Sequence, residues 1–154
     1  MALLGEYHDA RREETMARLR RVLALRAMLA VGMTQRAVAD ALGITQPAVS
    51  QQAKADVAVD AETLIEAAAP VLKDLAADRG FADLAVFGSV ARGQSRPDSD
   101  IDLLARPPSG ATIADLLDLQ ELFERVLGRP VDVISYAGLK DGIDDDVLRE
   151  AVAL

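Results

Sequence analysis

Two aspartates one residue apart, Asp100 and Asp102, carry the clearest chemistry in this 154-residue chain. They open an apolar stretch, Asp100-Ile101-Asp102-Leu103-Leu104, and ten residues separate them from Gly88-Ser89, which directly follows the apolar run Leu84 to Phe87. An apolar run broken by Gly-Ser, a polar loop and a second apolar run read as strand, turn, loop, strand. Side chains alternate along a strand, so Asp100 and Asp102 face the same side. Two neighbouring carboxylates repel unless something cationic sits between them, and a hard divalent ion with oxygen ligands, Mg²⁺, answers that need. Gly88 allows a close backbone approach and a dihedral that other residues resist. Nearby N–H groups can then point at a phosphate, and the Ser89 hydroxyl adds a donor. The plainer alternative is a surface hairpin whose Gly-Ser and acidic residues only make a turn.

The pattern Gly88-Ser89, ten residues, Asp100-x-Asp102 resembles that of the DNA polymerase β-like nucleotidyltransferase superfamily. Ala91-Arg92-Gly93 and Ser99-Asp100-Ile101-Asp102-Leu103 are similar to its minimal nucleotidyltransferase branch. The resemblance implies phosphoryl transfer from ATP with two Mg²⁺ ions. Asp100 and Asp102 then hold both ions, and Gly88 and Ser89 hold the triphosphate. In that family a third carboxylate on a nearby strand completes the metal site, and Asp132, within Arg129-Pro130-Val131-Asp132-Val133, matches its place; it would bind the catalytic ion and accept the proton of the attacking hydroxyl. Read from its neighbours alone, Asp132 either occupies an exposed position on an edge strand or joins a cationic centre, because burying it unpaired is costly. Arg92 either neutralises phosphate charge or pairs with a loop carboxylate such as Asp98.

The elements that must position these residues fall in two halves. The net charge is −8, but residues 1–60 hold eight basic against seven acidic residues and residues 61–154 hold nine against eighteen. The acidity belongs to the second half, and the near-neutral first half leaves room for a basic surface. Cysteine is absent and His8 is the one histidine, which leaves neither a disulfide framework nor a thiolate or zinc site. No apolar run reaches the length of a membrane span and the N-terminus lacks a signal-peptide pattern, so a cytoplasmic protein is expected.

Residues Asp9 to Ala30 lack Pro and Gly and are rich in helix formers; Met16, Leu19, Leu23 and Ala27 recur at helical spacing, and Arg11, Arg12, Arg18, Arg20, Arg21 and Arg26 give the helix a basic side. Those arginines form either a solvated face with partners such as Glu14 or a phosphate-contacting one. Thr34 is placed to cap a short helix through Leu42, Gly43 suits a left-handed stop, and Thr45 can cap a second helix with Pro47 in its first turn. Ala37, Val38, Ala41, Ile44 and Val49 are expected where these two helices meet. Residues 16–53 resemble the helix-turn-helix of lambda-repressor-like or Xre-like regulators. That resemblance implies base readout in the major groove by Gln46, Ser50 and Gln51, with Arg36 and Lys54 on phosphates, in a dimer that reads two half-sites. The alternative is an αα-hairpin that packs or dimerises without touching DNA.

Asp60 is placed to cap a helix over Ala61 to Arg79, with a kink or a break into two helices at Pro70. After the Gly-Ser strands, Arg106 to Gly110 reads as a loop, Thr112 to Leu127 as a helix, Val131 to Ile134 as a third strand and Asp144 to Val152 as a final helix. Its Asp144-Asp145-Asp146 run suits the positive end of the helix dipole. The expected architecture is therefore α+β: an all-α helix-turn-helix domain over residues 1–58, then a small α/β nucleotidyltransferase domain over 59–154 with a short mixed sheet flanked by helices.

Minimal nucleotidyltransferases are commonly encoded beside a HEPN-domain protein, often an RNase toxin, which they neutralise by binding and by moving AMP from ATP onto a toxin tyrosine. Together the two resemblances imply an antitoxin that modifies a partner toxin and binds operator DNA to regulate its own operon, as a homodimer or a hetero-oligomer with the toxin. Two alternatives stand beside it. One is a nucleotidyltransferase acting on a small molecule such as an aminoglycoside, although no accessory acceptor-binding domain is visible. The other is a non-catalytic repressor or antitoxin that acts by binding only.

Overall fold

The computed structural model describes residues 1–142 and 144–154. The chain divides into two compact units, Met1–Ala58 and Val59–Leu154.

The first unit holds three helices: α1 (Ala2–Ala30), α2 (Gln35–Leu42) and α3 (Gln46–Ala53). α1 starts seven residues before the expected point and runs through Gly5, which weakens a helix without ending it. The short helices are bounded as their caps dictate. The Thr34 hydroxyl accepts the Ala37 N–H at 3.0 Å, the Thr45 hydroxyl accepts that of Ala48 at 3.2 Å, and Gly43 adopts φ 67° between them. Leu25, Val38, Ala39 and Val49 form the core, with Met28, Leu29, Met33, Ile44 and Ala53 packed around it. Two expected packing positions, Ala37 and Ala41, are exposed, and Ala39 is buried in their place. Both follow from one rotation of α2, whose inward stripe passes through Val38 and Ala39. Leu19, Leu23 and Ala27 of the expected α1 stripe are buried, whereas Leu25, the core residue, lies outside that stripe.

The second unit contains α4 (Ala61–Asp78), β1 (Ala82–Phe87), α5 (Gly88–Ala91), β2 (Ile101–Arg106), α6 (Ile113–Leu127), β3 (Val131–Ser135), a 3₁₀ turn at Tyr136–Gly138, α7 (Asp145–Glu150) and β4 (Val152–Ala153). The sheet runs β3-β2-β1-β4, with β1 antiparallel to β2 and β4, and β2 parallel to β3. The Asp60 carboxylate caps α4 through the Thr63 N–H at 2.7 Å, and Thr112 with Asp115 forms a reciprocal capping box on α6. Pro70 sits inside α4 without dividing it; the helix is continuous where two helices were an expected alternative.

Leu84–Phe87 and Leu103–Ala105 are buried residue after residue, as strands covered on both faces must be. α4 and α6 pack on β1 and β3. Ala85, Phe87 and Leu104 pack with Tyr136, Leu139, Val147 and Ala151, so the 3₁₀ turn and α7 cover that face. The final helix does not run through Val152 as expected. α7 ends at Glu150, and Val152 and Ala153 extend to pair with Val86 and Ala85. At the other edge the Gln120 side chain accepts the Val133 N–H at 3.0 Å, satisfying a backbone donor of an edge strand.

Candidate active site

Strand register assembles the site. Asp102 lies opposite Phe87 in the β1–β2 ladder and beside Asp132 in the β2–β3 ladder, so all three side chains occupy one face of the sheet. Asp100 directly precedes β2 and is exposed, Asp102 is half-buried and Asp132 is exposed. Asp132 stands at an exposed position of edge strand β3, the first reading of its neighbours, and the register places it beside Asp102.

Gly88 follows Phe87 and opens α5 with φ 73°, the left-handed region that suits glycine. A Cβ built there would collide with Asp102 Oδ2. The glycine is therefore required twice, by its dihedral and by the carboxylate packed against it. Half-buried Ser89 accepts the Gln94 N–H on its carbonyl at 2.8 Å. The loop that follows is tied to α4: both carboxylate oxygens of Glu62 accept from the Ser95 hydroxyl at 2.7 Å.

The Asp102 carboxyl is pushed above its ordinary range, first by burial, then by the charges of Asp132 and Asp100. A cation would reverse each of these effects, and the donors are all hard carboxylate oxygens, so a divalent ion such as Mg²⁺ fits the residues present. Among the described residues no group of three or more His, Cys, Asp or Glu side chains stands arranged as a ready ligand set.

Arg92 does not pair with Asp98, one of the two roles its position suggested. Its Nη1 donates to Glu150 Oε2 at 2.9 Å, and Glu150 Oε1 accepts the Gly88 N–H at 3.0 Å. Arg92 first, with Gly88 in support, holds the Glu150 carboxyl below its usual range. Glu150 escaped sequence reasoning because it lies 62 residues from Gly88, inside what reads as an ordinary helix end. No local pattern marks it.

In the first unit, Arg36, Gln46, Gln51 and Lys54 are exposed and Ser50 is half-buried. Gln46, Ser50 and Gln51 all lie on α3. Arg26 serves another purpose than the basic side to which it was assigned: its guanidinium donates to the carbonyls of Ala53 and Ala55 at 3.0 and 2.7 Å, closing the C-terminal end of α3. The ion pair seen at the start of α1 joins Arg12 to Asp9 rather than to Glu14.

The nucleotidyltransferase domain family matches residues 69–154. The chain belongs to that family. This nucleotidyltransferase is 38% identical over 80 residues to the protein adenylyltransferase MntA of Thermococcus cleftensis, covering 52% of this chain and 81% of the relative. It is also 38% identical over 73 residues to a Methanocaldococcus jannaschii protein provisionally named a protein adenylyltransferase, covering 47% and 78%. A solved structure provisionally described as a minimal nucleotidyltransferase shares 41% identity and superposes with a TM-score of 0.58, covering 64% of this chain and all of the other. The three-helix unit lies outside the family match. Among the described residues no helix is long and apolar enough to cross a membrane.

Proposed function

We propose that this nucleotidyltransferase transfers AMP from ATP to a side-chain hydroxyl of a partner toxin and so neutralises it, while its N-terminal unit binds operator DNA. The observation that carries the catalytic part is the strand register that sets Asp102 beside Asp132 and against Gly88. The two protein adenylyltransferase relatives favour a protein acceptor over a small molecule.

In this reading the acceptor hydroxyl attacks the α-phosphorus, a new P–O bond forms, and the bond to pyrophosphate breaks. Asp132, exposed beside the reaction centre, accepts the hydroxyl proton. Asp100 and Asp102 would hold two Mg²⁺ ions and Asp132 would share one of them. Such ions supply charge neutralisation to the triphosphate and to the departing pyrophosphate. Gly88 and Ser89 cradle the phosphates, and Arg92 offsets their charge.

The Thr34- and Thr45-capped helix pair has the form in which a second helix enters the major groove, with Gln46, Ser50 and Gln51 reading bases and Arg36 and Lys54 on phosphates. One such module makes few contacts, so a dimer is expected to bind.

The deciding experiment is the intact mass of the neighbouring gene's product after incubation with this protein, ATP and Mg²⁺, beside an Asp100→Asn control. A gain of one or more AMP units with the wild type alone is the expected result. An unmodified partner in a tight complex would replace the catalytic reading with neutralisation by binding. For the DNA part, Gln46→Ala with Gln51→Ala should weaken binding to the protein's own promoter and leave transfer intact. Wild-type protein that binds that promoter and random DNA equally would remove the base-readout assignment.

A further inference from the structure

Glu150 occupies a position that its own chemistry makes informative. The Gly88 N–H and the Arg92 guanidinium both seek anions, and both face the turn beside the Asp100–Asp102 pair. In the free protein a single carboxylate spans them, one oxygen on each donor, at 3.0 and 2.9 Å. A phosphate presents the same arrangement of charged acceptor oxygens. Glu150 also adds its negative charge to the field at Asp102. An incoming triphosphate therefore meets donors already taken and a further like charge.

The segment carrying Glu150 is lightly held. α7 has six residues, none of them fully buried, and its N-terminus lacks a side-chain cap bond. Its hold on the sheet rests on Val147 and Ala151 against Ala85, Phe87 and Leu104, on the two paired residues of β4, and on the Leu154 N–H bond to the Leu84 carbonyl at 3.0 Å. Few buried contacts make local release inexpensive.

We propose that Glu150 belongs to the phosphate subsite as a built-in competitor, holding the Gly88 and Arg92 donors until nucleotide displaces it. This deepens the proposed transferase reading and rests on it for the identity of the ligand. The C-terminal segment thereby sets the nucleotide affinity of the free protein, and loading ATP frees Glu150 from the turn.

The test is calorimetric titration of the full chain with two probes, ATP and inorganic tripolyphosphate, each with Mg²⁺. Glu150→Ala should bind both about tenfold more tightly than the wild type, the scale of one charge-assisted hydrogen bond. Glu150→Gln, which keeps an acceptor for the Gly88 N–H but loses the charge, should fall between them. In the wild type, ATP should speed hydrogen exchange across residues 145–150. Unchanged or weaker binding by a folded Glu150→Ala protein overturns the proposal, and weaker binding would make Glu150 a positioning residue for Arg92 instead. If the alanine variant does not fold, Glu150→Gln decides by the same criterion. Tripolyphosphate binding that depends on Glu150, without ATP binding, would sink the nucleotide reading and leave the competitor standing. Failure of every form to bind either probe would overturn both.

Discussion

Replacing Gly88 by alanine should damage stability and chemistry through two separable causes. The left-handed dihedral of 73° costs a residue with a Cβ about 1–2 kcal/mol. The new methyl would also overlap Asp102 Oδ2, while the Asp102 Cγ and Cβ lie at 3.4 and 3.6 Å from its position. Only the carboxylate oxygen is in true collision, so the relief is rotation of the Asp102 side chain away from its rotamer, at about 1 kcal/mol. The sum is about 2–3 kcal/mol, which lowers the melting midpoint of a domain this size by on the order of 10 °C. Displacing a reacting group by ~1 Å costs ~100-fold in rate. Gly88→Ala should therefore still fold at 25 °C while nucleotide transfer, followed by labelled AMP incorporation, falls about that much. A thermal-melt cycle separates the causes: in an Asp102→Ala background the collision is gone, and Gly88→Ala should cost only the dihedral part. The same cost in both backgrounds, or transfer within a factor of two of wild type, would refute the packing of Asp102 on Gly88 as the reason for the glycine.

Asp102→Asn should raise the melting midpoint at neutral pH in metal-free buffer. The native Asp102 carboxyl is pushed up, so the folded state holds its proton to higher pH than the unfolded state does, and above that pH the carboxylate destabilises the fold. The asparagine variant lacks this penalty, and its advantage should shrink as pH falls through the native carboxyl's range; a variant that melts lower than wild type at neutral pH would contradict the burial and charge assigned to Asp102. Thr112→Ala removes the hydroxyl half of the α6 capping box and should cost about 1 kcal/mol in a denaturant melt, whereas an unchanged midpoint would show the cap to be redundant. Ser95→Ala cuts the hydroxyl tie from the loop to Glu62, leaving the Ser95 N–H bond to that carboxylate, and should speed proteolysis at residues 92–99 without altering the melt by more than about 1 kcal/mol; equal cleavage rates would show that the hydroxyl tie does not restrain the loop.

Much of this protein was legible because its signals are local. Thr34, Thr45 and Asp60 cap the helices that begin after them, and Gly43 closes a helix at positive φ, because a cap bonds within its own turn. The spacing of Gly88, Asp100 and Asp102 was enough to point to a nucleotidyltransferase domain, the family that the chain matches over residues 69–154, and alternation along one strand suggested that the aspartates share a face. Tertiary structure decided what depends on distant partners. Val152, read as the end of the final helix, joins Ala153 in a strand because the edge of β1 offers Val86 and Ala85 to pair with. The rotation of α2 that buries Ala39 and exposes Ala37 is settled by Leu25 on a different helix. Glu150 acquires its meaning from Gly88 and Arg92, 62 and 58 residues away, through contacts that no short-range pattern encodes. Local chemistry specified the candidate site residues; tertiary contacts alone set the Glu150 side chain beside Gly88 and Arg92.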